Sequence, residues 1–395
     1  MFDQQQFGGT VGGPIKRNKI FWFIDYQGTR TTEGEDTGLV SVPSLANRSG
    51  NLADLASTLT GAVSTSYIAG MLSNKLGYTV IAGEPYYTSN CTSTTACVFP
   101  GAVIPTKAWS APATFLLNHI PSANIGTNLF DSASEDGTIR DDKGAIRIDA
   151  NTQRWGTFLA YYFVDDYNLN NPYPTSQGGA NIPSGMGGAF NALSHGRAQL
   201  ITLGDVKTFG ANNFNEFHFS YMRDFNNIGQ PHGGVGVSLA CQGFNTAIAD
   251  PLGSAGCTTP TGAISQNGIY PLAPRIEGIE NVSLANLGGT IGTPITNAVQ
   301  TNDIYQWLDN FSKIIGTHNI TFGGELHVDQ VNETPNATFN GSYVFNGTES
   351  GSDYADFLLG VVSTYVQADQ GSFYLRNKYA GFFGQDSCRS RLSSR

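Results

Sequence analysis

The chain has 395 residues, a formal net charge of −10, 13% charged residues, 11% aromatics and 48 glycines. A usual soluble domain carries about 25% charged residues, so this balance points away from an ordinary water-soluble globule and towards many strands and turns. No run of five Lys or Arg supplies the footprint of a nucleic-acid partner, and no stretch approaches the roughly 20 apolar residues of a membrane-crossing helix.

In chain order, residues 1–6 have neither a basic nor an apolar region of the kind that opens a secretory leader. Period-2 alternation bounded by turn residues then predicts eight strands, near 19–30, 143–152, 154–166, 197–209, 213–225, 303–315, 318–331 and 373–385. Each is long enough for the roughly 9 to 11 residues of a tilted barrel strand. Three connections are tight, through Asn151-Thr152-Gln153, Gly210-Ala211-Asn212 and Gly316-Thr317-His318, and they alternate with long polar excursions near 31–142, 167–196, 226–302 and 332–372. An antiparallel transmembrane outer-membrane β-barrel sorts its connections in this way, with short periplasmic turns and long extracellular loops. A soluble sandwich has no reason to, although a secreted all-β adhesin or glycan-binding protein is the rival reading, since one solvated sheet face alternates identically.

Two strands show the faces. Ile320, Phe322, Leu326 and Val328 oppose Thr321, Glu325, His327 and Asp329, and Phe217, Phe219 and Tyr221 oppose Glu216, His218 and Ser220. Charge on the lipid face costs up to about 2–4 kcal/mol at mid-membrane, so Glu216, His218, Glu325, His327 and Asp329 are expected to face a wet lumen as ordinary polar wall, not as a metal site. Asp309 breaks the pattern by sharing a face with Trp307 and Phe311.

Four cysteines form two close pairs, Cys91 with Cys97 and Cys241 with Cys257, each in a Gly/Ser/Thr/Pro-rich stretch without a nearby His, while Cys388 stands alone. That favours loop disulfides in an oxidising compartment over zinc ligation. Gly233-Gly234-Val235-Gly236 follows no strand that leads into a helix and reads as mobile loop. The excursion aromatics Tyr86, Tyr87, Trp109, Tyr173, Phe190, Phe244 and Tyr270 either pin loops together or stack on a ligand. With no nucleophile elbow, His-Glu-x-x-His or Cys-x-x-Cys, neither an enzyme nor a cofactor is expected.

The run Phe7-Gly8-Gly9-Thr10-Val11-Gly12-Gly13-Pro14-Ile15-Lys16-Arg17-Asn18-Lys19-Ile20-Phe21-Trp22-Phe23 resembles the plug-to-barrel junction and first barrel strand of Oar-like TonB-dependent receptors. Ile104-Pro105, Leu116-Leu117, Pro121, Arg147-Ile148-Asp149, Phe322-Gly323-Gly324-Glu325, Asp356-Phe357-Leu358-Leu359-Gly360 and Tyr379-Ala380-Gly381-Phe382-Phe383 follow in the family's order. The resemblance implies a junction over 1–18, a partial barrel over 19–386, and a tail over 387–395 that leaves the family pattern as a frameshift or assembly error would. It also implies that the intact parent takes up a substrate by energy relayed from TonB through a plug that this sequence does not include. The expected partners are outer-membrane lipid and an unknown substrate at the extracellular loops.

Overall fold

Long runs of β-branched and aromatic residues at period 2 build one antiparallel sheet, which the computed structural model shows paired strand to strand with register shifts at Pro14/Lys16 and Leu193/His195. The structure describes residues 2–35, 39–131, 135–152, 156–172, 192–231, 238–249, 257, 262–272, 281–287, 289–291, 298–335, 341–368 and 371–388. In chain order the elements are β1 (Phe2–Lys16), β2 (Ile20–Glu35), β3 (Val40–Ser41), α1 (Leu45–Arg48), α2 (Ser66–Leu76), α3 (Ala111–Leu117), β4 (Leu129–Phe130), β5 (Glu135–Thr152), β6 (Gly156–Asn171) and β7 (Ala192–Phe209). There follow β8 (Asn213–Pro231), β9 (Asn281–Leu284), β10 (Gly289–Ile291), β11 (Ala298–Ile315), β12 (His318–Pro335), β13 (Ser342–Phe345), α4 (Asp353–Leu359), β14 (Thr364–Val366) and β15 (Phe373–Cys388). Among the described residues the main sheet has 9 strands in the order β1-β2-β5-β6-β7-β8-β11-β12-β15, an up-and-down meander left open between β1 and β15.

Three expectations change. Residues 1–18, expected as a junction ahead of the first strand, instead contain β1, paired with β2 from Phe2↔Glu33 to Lys16↔Ile20. Its Gln4-Gln5-Gln6 run and its paired glycines carry almost no alternation, so only the neighbouring ladder reveals it as a strand. The strands also outrun their predicted ends at the long-loop side. β2 continues to Glu35, β5 begins at Glu135 and β12 ends at Pro335, because segments such as Thr29-Arg30-Thr31-Thr32-Glu33 are polar on both faces and lose the period. Finally, β15 runs to Cys388, through two residues assigned to the tail, and 389–395 lie outside the described residues. At the other end two of the expected tight turns hold, with Gly210 (φ 67°) and Gly316 (φ 60°) in the left-handed region that such turns require; Asn18 (φ 59°) makes a further one between β1 and β2, and Gln153 of the remaining expected turn lies outside the described residues.

Register places one face of the sheet in apolar rows. Trp22, Ile148, Ala160, Leu203, Phe219, Trp307 and Leu326 stand directly opposite one another from β2 to β12. The next row towards the long loops runs Ile24, Ile146, Tyr162, Ile201, Tyr221, Tyr305 and Val328. Phe322 and Leu326 remain about half exposed, at 54% and 49%, as a surface solvated by hydrocarbon would be. Asp309 does share this face, near the short-turn end, and its Oδ1 accepts a hydrogen bond from Asn215 Nδ2 at 2.7 Å, which satisfies the carboxylate where it stands.

The hydrophobic core lies elsewhere. Every residue of the buried apolar cluster falls between Val40 and Leu359 and within the excursions, none in the nine-stranded sheet. A single-layer sheet has no second layer to bury against, whereas the excursions fold over one another. They form a head of α1 to α4, the short β3–β4 pair and a 4-stranded sheet of order β10-β9-β13-β14. Three of the long polar excursions therefore supply the buried core among the described residues; most of the one between β6 and β7 lies outside them.

Candidate functional site

The head is assembled from helices whose ends the sequence caps. Thr65 Oγ1 accepts the Ile68 amide to start α2, Ala69, Leu72 and Leu76 bury one face, and Gly77 (φ 78°) ends it. Lys107 donates to the Leu76 carbonyl at that end. Ser110 Oγ starts α3 by accepting the Ala113 amide, and the Arg48 guanidinium donates to the carbonyls of Leu117, at its last residue, and of Ile120 and Pro121 just beyond it, at 2.7, 2.8 and 3.2 Å. Pro105, Leu116, Leu117 and Pro121 of the family-like motifs thus belong to the first excursion's fold.

α4 carries the Asp356-Phe357-Leu358-Leu359-Gly360 motif. It is buried throughout, starts at Ser352 Oγ and ends at Gly360 (φ 74°). Asp356 accepts the amides of Ser350 (2.8 Å) and Glu349 (3.2 Å), and burial raises its carboxyl pKa against the opposing pull of those bonds. Asp353 Oδ2 accepts the amides of Asn286 and Leu287, joining the third excursion to the fourth. Glu349 Oε1 accepts the Tyr86 hydroxyl (2.7 Å) and the Ser64 amide (2.9 Å), joining the first to the fourth. Burial, and then this bond, push the Tyr86 phenol well above its ordinary range, and burial does the same to Tyr354.

Where these three excursions meet lies a pocket of about 640 Å³. The first contributes Tyr67, Met71, Lys75 and Leu116, the third Phe244, Asn245, Ile269 and Val282, and the fourth Tyr343, Phe345, Phe357, Val362 and Tyr365. Tyr343 is held between Phe244 and Tyr365, with ring centroids 5.3 and 4.9 Å away. Lys75 is the cation of this lining. Its Nζ donates to the carbonyls of Ala108 (3.2 Å) and Trp109 (3.0 Å), and among the described residues it makes no ion pair with a carboxylate. Burial lowers its pKa from the ordinary lysine value.

The five polar candidates on the strands share the face opposite the apolar rows. His218 stands across from Leu308, which stands across from Glu325, so these two are one strand apart. His218 Nε2 lies 2.8 Å from Glu216 Oε1, Gln306 donates to Glu325 at 2.6 Å, and His327 Nε2 lies 2.7 Å from Asp329 Oδ1. They pair locally, and no group of three metal-ligating side chains occurs among the described residues. The same face is rich in acid. β2 adds Asp25, Glu33 and Glu35, β5 Asp141 and Asp149, β6 Asp165, β8 Asp224 and β12 Glu333, against the cations Lys143 and Arg147. Arg147 spends its charge on Asp149, in two contacts of 2.8 and 2.9 Å. On the opposite face acids and bases alternate, as where Arg30 and Arg140 both reach Asp142 at 2.7 Å.

Cys91 and Cys97 are joined in the head, Cα atoms 6.2 Å apart, as are Cys241 and Cys257 at 5.3 Å, and Cys388 is free and exposed. Tyr86 is buried and Trp109 packs against the core, so these two pin the head, whereas Phe244 lines the pocket. Tyr173, Phe190 and the Gly233-Gly234-Val235-Gly236 run lie outside the described residues. Phe244 was among the aromatics singled out from sequence, whereas Lys75, Tyr343 and Tyr365 were not, although Thr65, the 3–4 spacing of Ile68, Ala69, Leu72 and Leu76, and Gly77 spell a capped amphipathic helix.

A sequence profile of the outer membrane beta barrel domain family matches residues 1–391. No curated protein matches the chain. Among solved structures the chain is similar to the outer membrane transporter YddB from Escherichia coli, at a TM-score of 0.45 and 6% identity, over 99% of this chain and 32% of that one. The chain thus spans less than a third of that transporter's length.

Proposed function

The chain belongs to the outer membrane beta barrel domain family, and from that premise we propose that it forms part of the wall and the extracellular head of an outer-membrane transporter whose uptake is energised through TonB. The protein resides in the outer membrane, with the apolar rows against lipid and the acid-rich face towards the lumen. The observation that carries the proposal is the pairing of a folded head, with a lined pocket, over a polar wall. A barrel that only sealed or anchored would need neither. The strands add a reason for the height of the head. Eighteen residues at about 3.4 Å each, tilted by about 40°, rise roughly 45 Å, well beyond the ~25 Å apolar band, so β5, β7, β11 and β12 carry the head clear of the membrane surface.

In this reading the head makes first contact with the substrate, the wall guides it, and TonB acts through a plug of the parent protein, as the Oar-like motifs imply. The chain performs no catalytic step and engages no nucleic acid. The test is depletion of a defined mixture of peptides, oligosaccharides and ferric chelates from medium by cells expressing the parent protein, with and without a functional TonB. At least one component should disappear only when both are present. Depletion that ignores TonB, or no receptor-dependent depletion, overturns the proposal.

A further inference from the structure

The head pocket has the size of a small-molecule site, within the ~300–1,000 Å³ of ligand clefts, and its lining is mostly aromatic and aliphatic around one cation. An ammonium has three donors, and the carbonyls of Ala108 and Trp109 take two of Lys75's. The third has no carboxylate of this chain to meet among the described residues, although the side chain is only partly exposed. Placing an unpaired charge against an apolar cavity is costly unless an anion arrives with the ligand. The acid-rich wall beneath adds a second condition, because a ligand that is only an anion is repelled there. A ligand that satisfies both carries a carboxylate, an apolar side chain and its own cation.

We propose that this pocket binds the carboxyl-terminal residue of a short zwitterionic peptide, with Lys75 taking the carboxylate and the aromatic cluster of Phe244, Tyr343 and Tyr365 taking an apolar side chain. The proposal deepens the transport reading by naming the substrate class and rests on it for the route, but not for the binding. Burial lowers the Lys75 pKa, and a bound carboxylate reverses that pull, so the ligand supplies what the empty pocket lacks.

The experiment is calorimetric titration of the full chain in lipid nanodiscs with L-leucyl-L-phenylalanine and with its carboxyl-terminal amide, which differ only in the anion. The acid should bind about tenfold more tightly than the amide, the weight of one charge-assisted hydrogen bond. Lys75→Met should bring the two to equal affinity. Val362→Trp, at a pocket-lining position that is 37% exposed and so tolerant of size, should abolish both. Equal affinity in the unmodified chain, a preference that survives Lys75→Met, or no binding to a chain whose head resists protease overturns the proposal. Binding in the expected pattern without TonB-dependent uptake sinks the transport reading and leaves the pocket assignment standing. Uptake of the dipeptide that is indifferent to Lys75→Met does the reverse.

Discussion

At the scale of single residues, the head depends on carboxylates that accept backbone amides. Asp356 closes the turn before α4 by accepting the amides of Ser350 and Glu349, both buried. Asp356→Ala leaves two buried donors without an acceptor, at about 1–3 kcal/mol for such a group, and should move the head's proteolysis midpoint accordingly. Asp356→Asn keeps one acceptor oxygen and should lose about half as much. The sign with pH follows from burial. The folded carboxyl pKa is raised above its unfolded value of 3.8, so its contribution is fully present below 3.8 and is lost as pH rises through the folded value. Midpoints measured between about pH 3 and pH 7 should therefore fall with rising pH more steeply in the unmodified chain than in Asp356→Asn. Equal slopes would mean that the Asp356 carboxyl is not perturbed by its burial.

At the scale of elements, neighbouring residues on one strand stand on opposite faces of the sheet, which the transporter reading gives to different solvents. Leu203 stands in the apolar row between Ala160 and Phe219, and Thr202 faces the acid-rich side between Tyr161 and Ser220. Leu203→Arg should cost about 2–4 kcal/mol and lower the amount of parent protein assembled in the outer membrane, while Thr202→Arg should assemble normally. The reverse outcome would exchange the two faces. This facing is what the sequence states most clearly, because period 2 couples each residue to its neighbour, and it puts Glu216, His218, Glu325, His327 and Asp329 on one side without reference to any structure. Strand ends at the tight turns are equally readable, since Gly210 and Gly316 occupy conformations that few other residues adopt cheaply. The signal fades where both faces are wet, as at Thr29 to Glu35, and in β1, whose glycines have no side chain to alternate. The head was illegible for a different reason. Its helices are short, and α2 is written in a 3.6-residue period inside a stretch rich in turn residues, so its core appears only when Leu72, Leu116, Val282 and Tyr354 are brought together from three excursions. The pocket inherits that difficulty, since its lining comes from segments nearly 300 residues apart.

At the scale of the whole molecule, the sheet resolves its backbone by neighbours in chain order, and that scheme runs out at β1 and β15. Both strands are exposed along nearly their whole length, and each pairs on one side only, β1 with β2 and β15 with β12. Within a bilayer an unpaired row of amides and carbonyls finds no water, so the edges demand further strands. The side chains compound the demand, because Phe382 and Phe383 stand 81% and 49% exposed on opposite faces of β15, and Phe7 and Val11 remain open on β1. The head does not share this demand, since its core closes on itself and two disulfides tie it. The chain studied alone in detergent micelles should therefore behave as two regimes. Light scattering during size exclusion should show assemblies that grow with protein concentration through β1 and β15, while hydrogen exchange should show the α4 and Leu72 region protected at every concentration. A concentration-independent monomer with protected amides in β1 and β15 would mean that the two edges meet each other, and the sheet would then be a closed barrel of nine strands rather than an arc of a larger wall.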